Sequence, residues 1–264
     1  MMKFKAWLPI AVLLTGTATN AVGEQTPLVA VPANTNGGLA ALIYGKSEIT
    51  VKSRAQGEIT AVKVIEGQRV KRGDVIAQLD DRQERIDREV AEAEVKLAKG
   101  DWDKSSKLKK YVSGDEINQK QSSYLKKKST FELKLLDIEK KKIASPIDGI
   151  VTRLYFERGE TTAAGDKFVE IVQMDDLYLI ANVSSIEATR FKQGDVVPFK
   201  VEGIKDTFEA KVMFTSPVID ASSDTVRVKL EAKNIRQSSS KEKEDFVLKP
   251  GMVAVLVTKE KAGD

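Results

Sequence analysis

The chain has 264 residues, 31% of them charged, and a formal net charge of +4 at pH 7. It contains neither histidine nor cysteine, which excludes disulfides, histidine-dependent triads, cysteine nucleophiles and the usual zinc, haem and blue-copper sites. Most enzyme classes are thereby removed. Lysines are concentrated between residues 99 and 143, but no aromatic platform accompanies them, so we expect a solvated helical face and no nucleic-acid partner.

The first 23 residues have the pattern of a secretory signal peptide. Lys3 and Lys5 precede an apolar run at residues 6–14, and residues 19–23 supply small residues for a cleavage site. The apolar run is too short to span a bilayer. The pattern therefore predicts an exported chain. Residues 24–38, rich in proline, asparagine and glycine, predict a flexible lead-in.

Two segments repeat one motif at a single fixed offset without a gap. The glycines that correspond are Gly57 with Gly149, Gly67 with Gly159, and Gly73 with Gly165. The last two pairs permit the left-handed or tight-turn backbone of short β connections. Each half is too small to bury a core alone. Residues 53–80 and 144–172 are therefore predicted to pair as one split β-sandwich.

The segment between the repeats, residues 81–143, has the pattern of two antiparallel helices. Asp81 and Glu84 predict a capping box for the first helix, and Ser113 with Glu116 predicts one for the second. Apolar residues recur at coiled-coil spacing. The seam predicted for the second helix is Ile117, Tyr124, Phe131 and Ile138. The seam predicted for the first helix is Ile86, Val90, Ala93 and Leu97, continued less regularly toward the tip by Gly100, Lys104, Leu108 and Tyr111. The insertion is thus predicted to be a helical hairpin.

Residues 173–258 alternate apolar and polar side chains in several segments, as half-buried strands do. Together with strands expected at residues 39–52 they predict a small β-barrel, with one short helix opening at Ser184 and Glu187. Residues 259–264 are expected to be a tail. The fold class expected is therefore mainly β with an inserted helical hairpin.

The carboxylate pairs Asp80–Asp81 and Asp175–Asp176 are the candidates for acid–base chemistry, but both lie at element boundaries, where aspartate is commonly a cap or turn residue. Met174, Met213 and Met252 are each isolated in a β pattern and are expected in the core. No phosphate loop or dinucleotide motif is present. The sequence predicts no catalytic, metal or cofactor site.

The repeats resemble the split biotinyl/lipoyl domain of periplasmic adaptor proteins, the membrane fusion proteins of the hemolysin-secretion type. The motifs that carry the resemblance are Gly57-x-Ile59, residues 64–80 around Gly67 and Gly73, residues 144–151 around Gly149, and the barrel segments 216–228 and 248–252. The resemblance implies a non-enzymatic periplasmic homo-oligomer. On this resemblance the protein is expected to join an inner-membrane transporter, of the resistance nodulation division (RND) type, to an outer-membrane channel. It is also expected to associate peripherally with the inner membrane and to need no cofactor.

The resemblance also implies that the hairpin tip contacts the channel. Lys104 and Leu108 keep the first step of the family's tip motif, whereas Ser113 comes two residues earlier than the family pattern. These three residues are the predicted docking tip. The family's membrane-proximal domain is expected to be absent or vestigial.

Three alternatives stay open at this point. A biotin or lipoyl carrier needs a lysine on a tight turn between the halves, where this chain has a hairpin. A non-transport scaffolding protein of the envelope would share the fold and associate with no exporter. An adaptor of an ABC-type or type I secretion exporter would share both the fold and the bridging role.

Overall fold

A computed structural model describes residues 39–108, 110–238 and 244–257. The predicted signal peptide, lead-in and tail lie outside these residues. The strands are β1 (Leu39–Gly45), β2 (Glu48–Lys52), β3 (Gly57–Val62), β4 (Arg69–Val70), β5 (Val75–Leu79), β6 (Lys142–Ala144), β7 (Gly149–Leu154), β8 (Thr161–Thr162), β9 (Lys167–Val172), β10 (Asp176–Ser184), β11 (Val196–Val201), β12 (Thr207–Asp220), β13 (Thr225–Lys233), β14 (Arg236–Ser238), β15 (Glu244–Phe246) and β16 (Val253–Leu256). The helices are α1 (Arg82–Lys107), α2 (Gly114–Lys140) and α3 (Ser185–Ala188).

Six strands close into an antiparallel barrel in the order β1-β10-β13-β12-β11-β16. Alternate residues of β10 and β13 are buried, as the sequence pattern predicts, because successive side chains of a strand point to opposite faces. Phe199 and Phe208 stack inside the barrel with ring centroids 5.4 Å apart. The short helix α3 begins with the predicted capping box of Ser184 and Glu187. The fold class is thus mainly β.

The two repeats form a sandwich of two four-stranded sheets, ordered β2-β9-β7-β4 and β6-β5-β3-β8. Each sheet contains strands from both repeats. The largest fully buried side chains in this core include Ile59, Ile76, Leu79, Phe168 and Ile171. Neither repeat therefore has a complete sheet or a complete core of its own.

Hydrogen bonds between the repeats are reciprocal. The amide of Gly73 donates to the carbonyl of Ser145, and the amide of Gly165 donates to the carbonyl of Ser53, both at 2.8 Å. Ser53 and Ser145 are buried, and each hydroxyl donates at 2.6 Å to the carbonyl two residues further on. The repeats are therefore related by an approximate two-fold exchange of equivalent bonds.

The assignment of residues 48–52 to the barrel is wrong. Strand β2 pairs with β9 in the sandwich, as β6 pairs with β5. The two strands occupy equivalent places, each leading into its repeat, so the repeated unit begins earlier than its glycine motif. For the same reason Lys142 and Ile143, assigned to the hairpin, belong to the sandwich through β6.

Helices α1 and α2 form the inserted hairpin. Ser113 caps α2, with its Oγ accepting the amide of Glu116 at 3.2 Å. The capping box predicted at Asp81 is not formed, because its Oδ1 accepts Arg85 Nε at 2.9 Å and no cap bond is made. The amide of Arg82 donates instead to Asp80 Oδ1 at 3.1 Å. Hydrogen bonds from the Arg82 side chain and amide lower the pKa of Asp80 to about 2.

Candidate functional site

On the second helix of the hairpin, the residues that face the first helix are of two kinds, apolar residues and lysines. Ile117, Tyr124, Phe131 and Ile138 of α2 are each partly buried at intervals of seven residues, as predicted. The other inward positions are filled by Lys120, Lys127 and Lys134 of α2 and by Lys141, the residue that caps its end. Residues seven apart lie on the same face of a coiled-coil helix, so these lysines form one row along α2.

Carboxylates of α1 face this lysine row. Lys127 Nζ lies 2.8 Å from Glu94, Lys134 Nζ lies 2.8 Å from Asp87, and Lys141 Nζ lies 3.0 Å from Glu84. The hydrogen bond from Lys134, supported by one from Gln83, lowers the pKa of Asp87. These pairs fix which residues of α1 and α2 stand level with each other.

The predicted seam of α1 is wrong. Ile86, Val90 and Leu97 are 56%, 58% and 69% exposed, whereas Ala91 is buried and Trp102 stacks on Tyr124 at 5.4 Å. Helix α1 carries small or apolar residues at coiled-coil spacing on two faces, and the face with the acids turns toward α2. The signal missed in the sequence is the common seven-residue interval of the acids Asp87 and Glu94 and of the lysines of α2.

The predicted docking residues lie together at the end of the hairpin. Lys104 is exposed near the end of α1, and Leu108, which is 50% exposed, follows its last helical residue. The amide of Leu108 donates to the carbonyls of Lys104 and Ser105. Ser113 opens α2 and is exposed apart from its cap bond. The tip therefore presents a half-exposed apolar side chain and an exposed cation in the last turn of α1.

Four of the six repeat glycines occupy turns with positive φ. The φ values are 84° at Gly67, 92° at Gly73, 92° at Gly159 and 98° at Gly165. A side chain at these positions would be strained. The two glycines of the remaining pair, Gly57 and Gly149, have different surroundings. A Cβ on Gly149 would lie 2.6 Å from the carbonyl oxygen of Val172, whereas a Cβ on Gly57 would make ordinary contacts at 3.5 Å and beyond.

A charged cluster joins the sandwich to the barrel. Asp175, between β9 and β10, accepts a 2.6 Å hydrogen bond from Arg69 of β4 and a further bond from Arg236 of β14. Burial alone would raise the pKa of Asp175, but the hydrogen bonds from the two arginines outweigh it and lower the pKa. Close by, Lys46 bridges Asp176 at 3.2 Å and Glu231 at 2.7 Å.

The two candidate carboxylate pairs are therefore engaged by cations or helix termini. In residues 39–108, 110–238 and 244–257, no group of three or more Asp or Glu side chains is arranged to hold a metal ion. Across the same residues, neither long helix has a stretch apolar enough to cross a bilayer.

The split sandwich and the helical hairpin between its halves together occupy residues 48–172. Residues 47–174 match the family model described as RND MFP, barrel-sandwich hybrid domain. Residues 47–174, just under half of the chain, are therefore similar to the barrel-sandwich hybrid domain of RND membrane fusion proteins.

Two solved structures and one curated relative are similar to the chain. The chimaera of MacA with the α-hairpin domain of Pseudomonas aeruginosa MexA gives a TM-score of 0.69 at 22% identity, covering 82% of this chain and 78% of that chain. A putative efflux transporter from Bacteroides eggerthii gives 0.67 at 20% identity, covering 82% and 66%. Multidrug resistance protein MdtA of Escherichia fergusonii is 27% identical over 219 residues, which are 73% of this chain and 52% of that protein. The chain thus spans about half the length of the curated relatives it matches.

Proposed function

We propose that the chain is a periplasmic adaptor subunit of a tripartite efflux pump. It bridges an inner-membrane transporter of the RND type to an outer-membrane channel, for the export of small molecules, and acts as a homo-oligomer. The observation that carries the proposal is the match of residues 47–174 to the RND membrane fusion proteins, with a hairpin inserted between the repeats. The names of its relatives, a multidrug resistance protein and a putative efflux transporter, agree with this role.

The mechanism is binding, with no bond made or broken. The barrel and the sandwich are compact bodies held together by the Arg69–Asp175–Arg236 cluster. The hairpin of α1 and α2 extends about 40 Å, since each helix has 26 or 27 residues at about 1.5 Å per residue. A rod of this length separates its tip from the body that carries it. The chain is thereby suited to contact one membrane protein with its body and another with its tip.

The tip contact is assigned to Lys104, Leu108 and Ser113. Leu108 is half exposed, and Lys104 is an exposed cation four residues before it. Ser113 has a structural role as the cap of α2, so its contact with the channel must use the outer side of the residue. The assignment requires that changes here abolish export without unfolding the chain.

The test is complementation of a host whose own RND adaptor is deleted, with its RND transporter and outer-membrane channel still present. The unchanged chain is expected to restore drug resistance and to be recovered with both membrane proteins. Leu108→Lys and Ser113→Asp should abolish resistance and channel cross-linking while leaving the helical circular dichroism unchanged. Ile65→Lys, at a 55% exposed apolar residue of the sandwich, is the matched control and should complement.

Recovery with neither membrane protein would contradict the adaptor role and favour an envelope scaffolding protein. Recovery with an ABC-type or type I secretion exporter would replace the RND assignment while keeping the bridging role. Full resistance in both tip variants would remove the tip assignment alone.

A further inference from the structure

A groove of about 510 Å³ lies where the hairpin joins the sandwich. Its walls come from the end of β2, the turn between β4 and β5, the last turn of α2, and β6 with the residues that follow it. Val51, Ala144 and Pro146 contribute apolar surface to the lining. Three cations and one carboxylate are also among its described lining residues. The groove thus combines apolar surface with a net positive charge.

One of the three cations is already engaged. Arg54 lies 3.7 Å from Glu139, the carboxylate of the lining, and donates to the backbone carbonyl of Lys142 at 3.3 Å. Arg54 therefore ties the sandwich to the end of α2. The other two cations, Lys52 and Arg72, are exposed and form no ion pair with any residue that the structure describes. These two side chains are available to a ligand.

Lys52 also stands directly opposite a second lysine. In the pairing of β2 with β9 its Cα partner is Lys167, which is likewise exposed and forms no ion pair within residues 39–108, 110–238 and 244–257. Like charges directly opposite each other on neighbouring strands destabilise a sheet. A bound anion would offset this repulsion. The sheet therefore keeps an uncompensated pair of cations beside the groove.

The carboxylates in the neighbouring turns have other structural uses. Asp74 and Asp166 each accept the backbone amide three residues earlier, at 2.8 Å and 2.7 Å. Asp148 accepts the backbone amide of Arg72 at 2.8 Å. Each of these carboxylates stabilises a turn, and the side chains of Lys52 and Arg72 stay without a carboxylate partner among the described residues.

The second repeat shows that the fold does not require these cations. At the fixed offset between the repeats, Lys52 corresponds to Ala144 and Arg72 corresponds to Ala164. Strands β2 and β6 hold equivalent places in the two sheets, so a small neutral residue is accommodated where Lys52 stands. The two cations are therefore a feature of this groove and not of the architecture.

We propose that the groove is a binding site for a small organic phosphate monoester, with its phosphate on Lys52 and Arg72 and its apolar body on Val51, Ala144 and Pro146. A guanidinium presents a planar fork of donors that bonds two phosphate oxygens at once, and a lysine adds a compact positive charge. The apolar part of the lining gains by being covered. The site goes beyond the adaptor function and does not depend on it.

The test is calorimetric titration of the full-length purified protein at low ionic strength with phenyl phosphate, inorganic phosphate and phenol. Phenyl phosphate is expected to bind one per chain and about tenfold more tightly than inorganic phosphate, because its ring covers apolar surface that the inorganic ion leaves exposed. Phenol, which has no phosphate, should not bind detectably. Absence of phenyl phosphate binding, or equal binding of phenol, would overturn the proposal.

Two double variants locate the site. Lys52→Ala with Arg72→Ala introduces the residues that the second repeat has at these positions, and it should weaken phenyl phosphate at least about tenfold. The control, Lys63→Ala with Lys205→Ala, removes the same charge from exposed residues outside the groove and should bind like the unchanged chain. Equal weakening in both variants would show general attraction to a basic protein and would overturn the site.

A further measurement separates a free ligand from a lipid headgroup of the same chemistry. The protein is sedimented with vesicles of phosphatidylcholine that contain phosphatidic acid, whose phosphate is also a monoester. Because the ligand is expected to be free in solution, binding to phenyl phosphate should exceed any binding to the vesicles, and phenyl phosphate should compete for whatever vesicle binding occurs. Vesicle binding that phenyl phosphate does not reduce, without calorimetric binding, would replace the proposed site by a membrane contact.

Discussion

Lys134 of α2 donates from Nζ to Oδ2 of Asp87 of α1 at 2.8 Å, across a seam where an apolar coiled coil would place two leucines. Both side chains are about one-third exposed. The hairpin is therefore held by paired charges along one side of its seam and by Ile117, Tyr124, Phe131 and Ile138 along the other. Its helices should respond to pH as an apolar pair would not.

The first prediction concerns that pH response. The bond from Lys134 lowers the pKa of Asp87 below its usual 3.8. A carboxyl whose pKa is lowered by folding adds stability above its unfolded pKa and loses it as the pH falls through the folded value. The hairpin should therefore keep constant stability from pH 7 to about pH 5 and weaken below about pH 4.

The measurement is helical circular dichroism against temperature at several pH values. Asp87→Asn should be less stable than the unchanged chain at pH 7, and the difference should shrink below pH 4. The control is Glu89→Gln, because Glu89 is exposed and lies outside the seam. This variant should behave like the unchanged chain. A constant difference at all pH values would show that the pairing is not electrostatic.

The second prediction uses the inequivalence of Gly57 and Gly149. Gly149→Ala should lower the free energy of unfolding by about 1–3 kcal/mol, because the new methyl would overlap the carbonyl oxygen of Val172. Gly57→Ala, at the matching position of the other repeat, should change it by less than about 0.5 kcal/mol. Denaturant titration measures both. Equal losses of stability in the two variants would mean that the backbone at Val172 moves to accommodate the methyl group of Gly149→Ala.

The third prediction concerns the cap of α2. Ser113→Ala removes the acceptor of the Glu116 amide and should cost about 1 kcal/mol, whereas Ser113→Asp keeps an acceptor and should be nearly neutral. Thermal melting of the helical signal distinguishes the two. If Ser113→Ala melts at the same temperature as the unchanged chain, the cap bond contributes nothing to stability. A loss of export on changing Ser113 would then reflect only a lost contact with the channel.

The fourth prediction concerns Asp175. Asp175→Asn would weaken the bonds from Arg69 and Arg236 and leave two cations near each other, at a cost of about 1 kcal/mol for these partly exposed groups. Arg69 belongs to the sandwich, and Arg236 belongs to β14, which follows barrel strand β13. The variant should therefore also widen the distribution of distances between spin labels placed on the sandwich and on the barrel. An unchanged distribution would show that backbone contacts alone set the angle.

The sandwich could be predicted because its glycines repeat at a fixed offset and because each half is too small to fold alone. The structure adds that equivalent residues of the two repeats make equivalent hydrogen bonds, since the amide of Gly73 donates to Ser145 and the amide of Gly165 donates to Ser53. The place of β2 was missed, because Glu48–Lys52 and Lys142–Ala144 share a position without sharing a sequence motif.

The face of α1 could not be assigned from apolar spacing alone. Ile86, Val90 and Leu97 make the more hydrophobic stripe, yet that stripe is exposed. Lys127, Lys134 and Lys141 decide the orientation, since each of them would otherwise be partly buried without its carboxylate partner on α1. A search for matched charges between the two helices would have found the seam.

The pairing of β1 with β16, which sets Leu39 opposite Leu256, has a consequence for how the chain matures. Synthesis proceeds from the amino terminus, so β1 emerges long before the strand that covers its second edge. Contacts between distant parts of a sequence form slowly, and an uncovered apolar strand is prone to aggregate meanwhile. Leu39, Ala40, Ala41, Leu42 and Ile43, all buried in the finished barrel, stay exposed during that interval. The chain should therefore depend on a holding chaperone during biogenesis, and this need should end only when residues 253–256 have arrived.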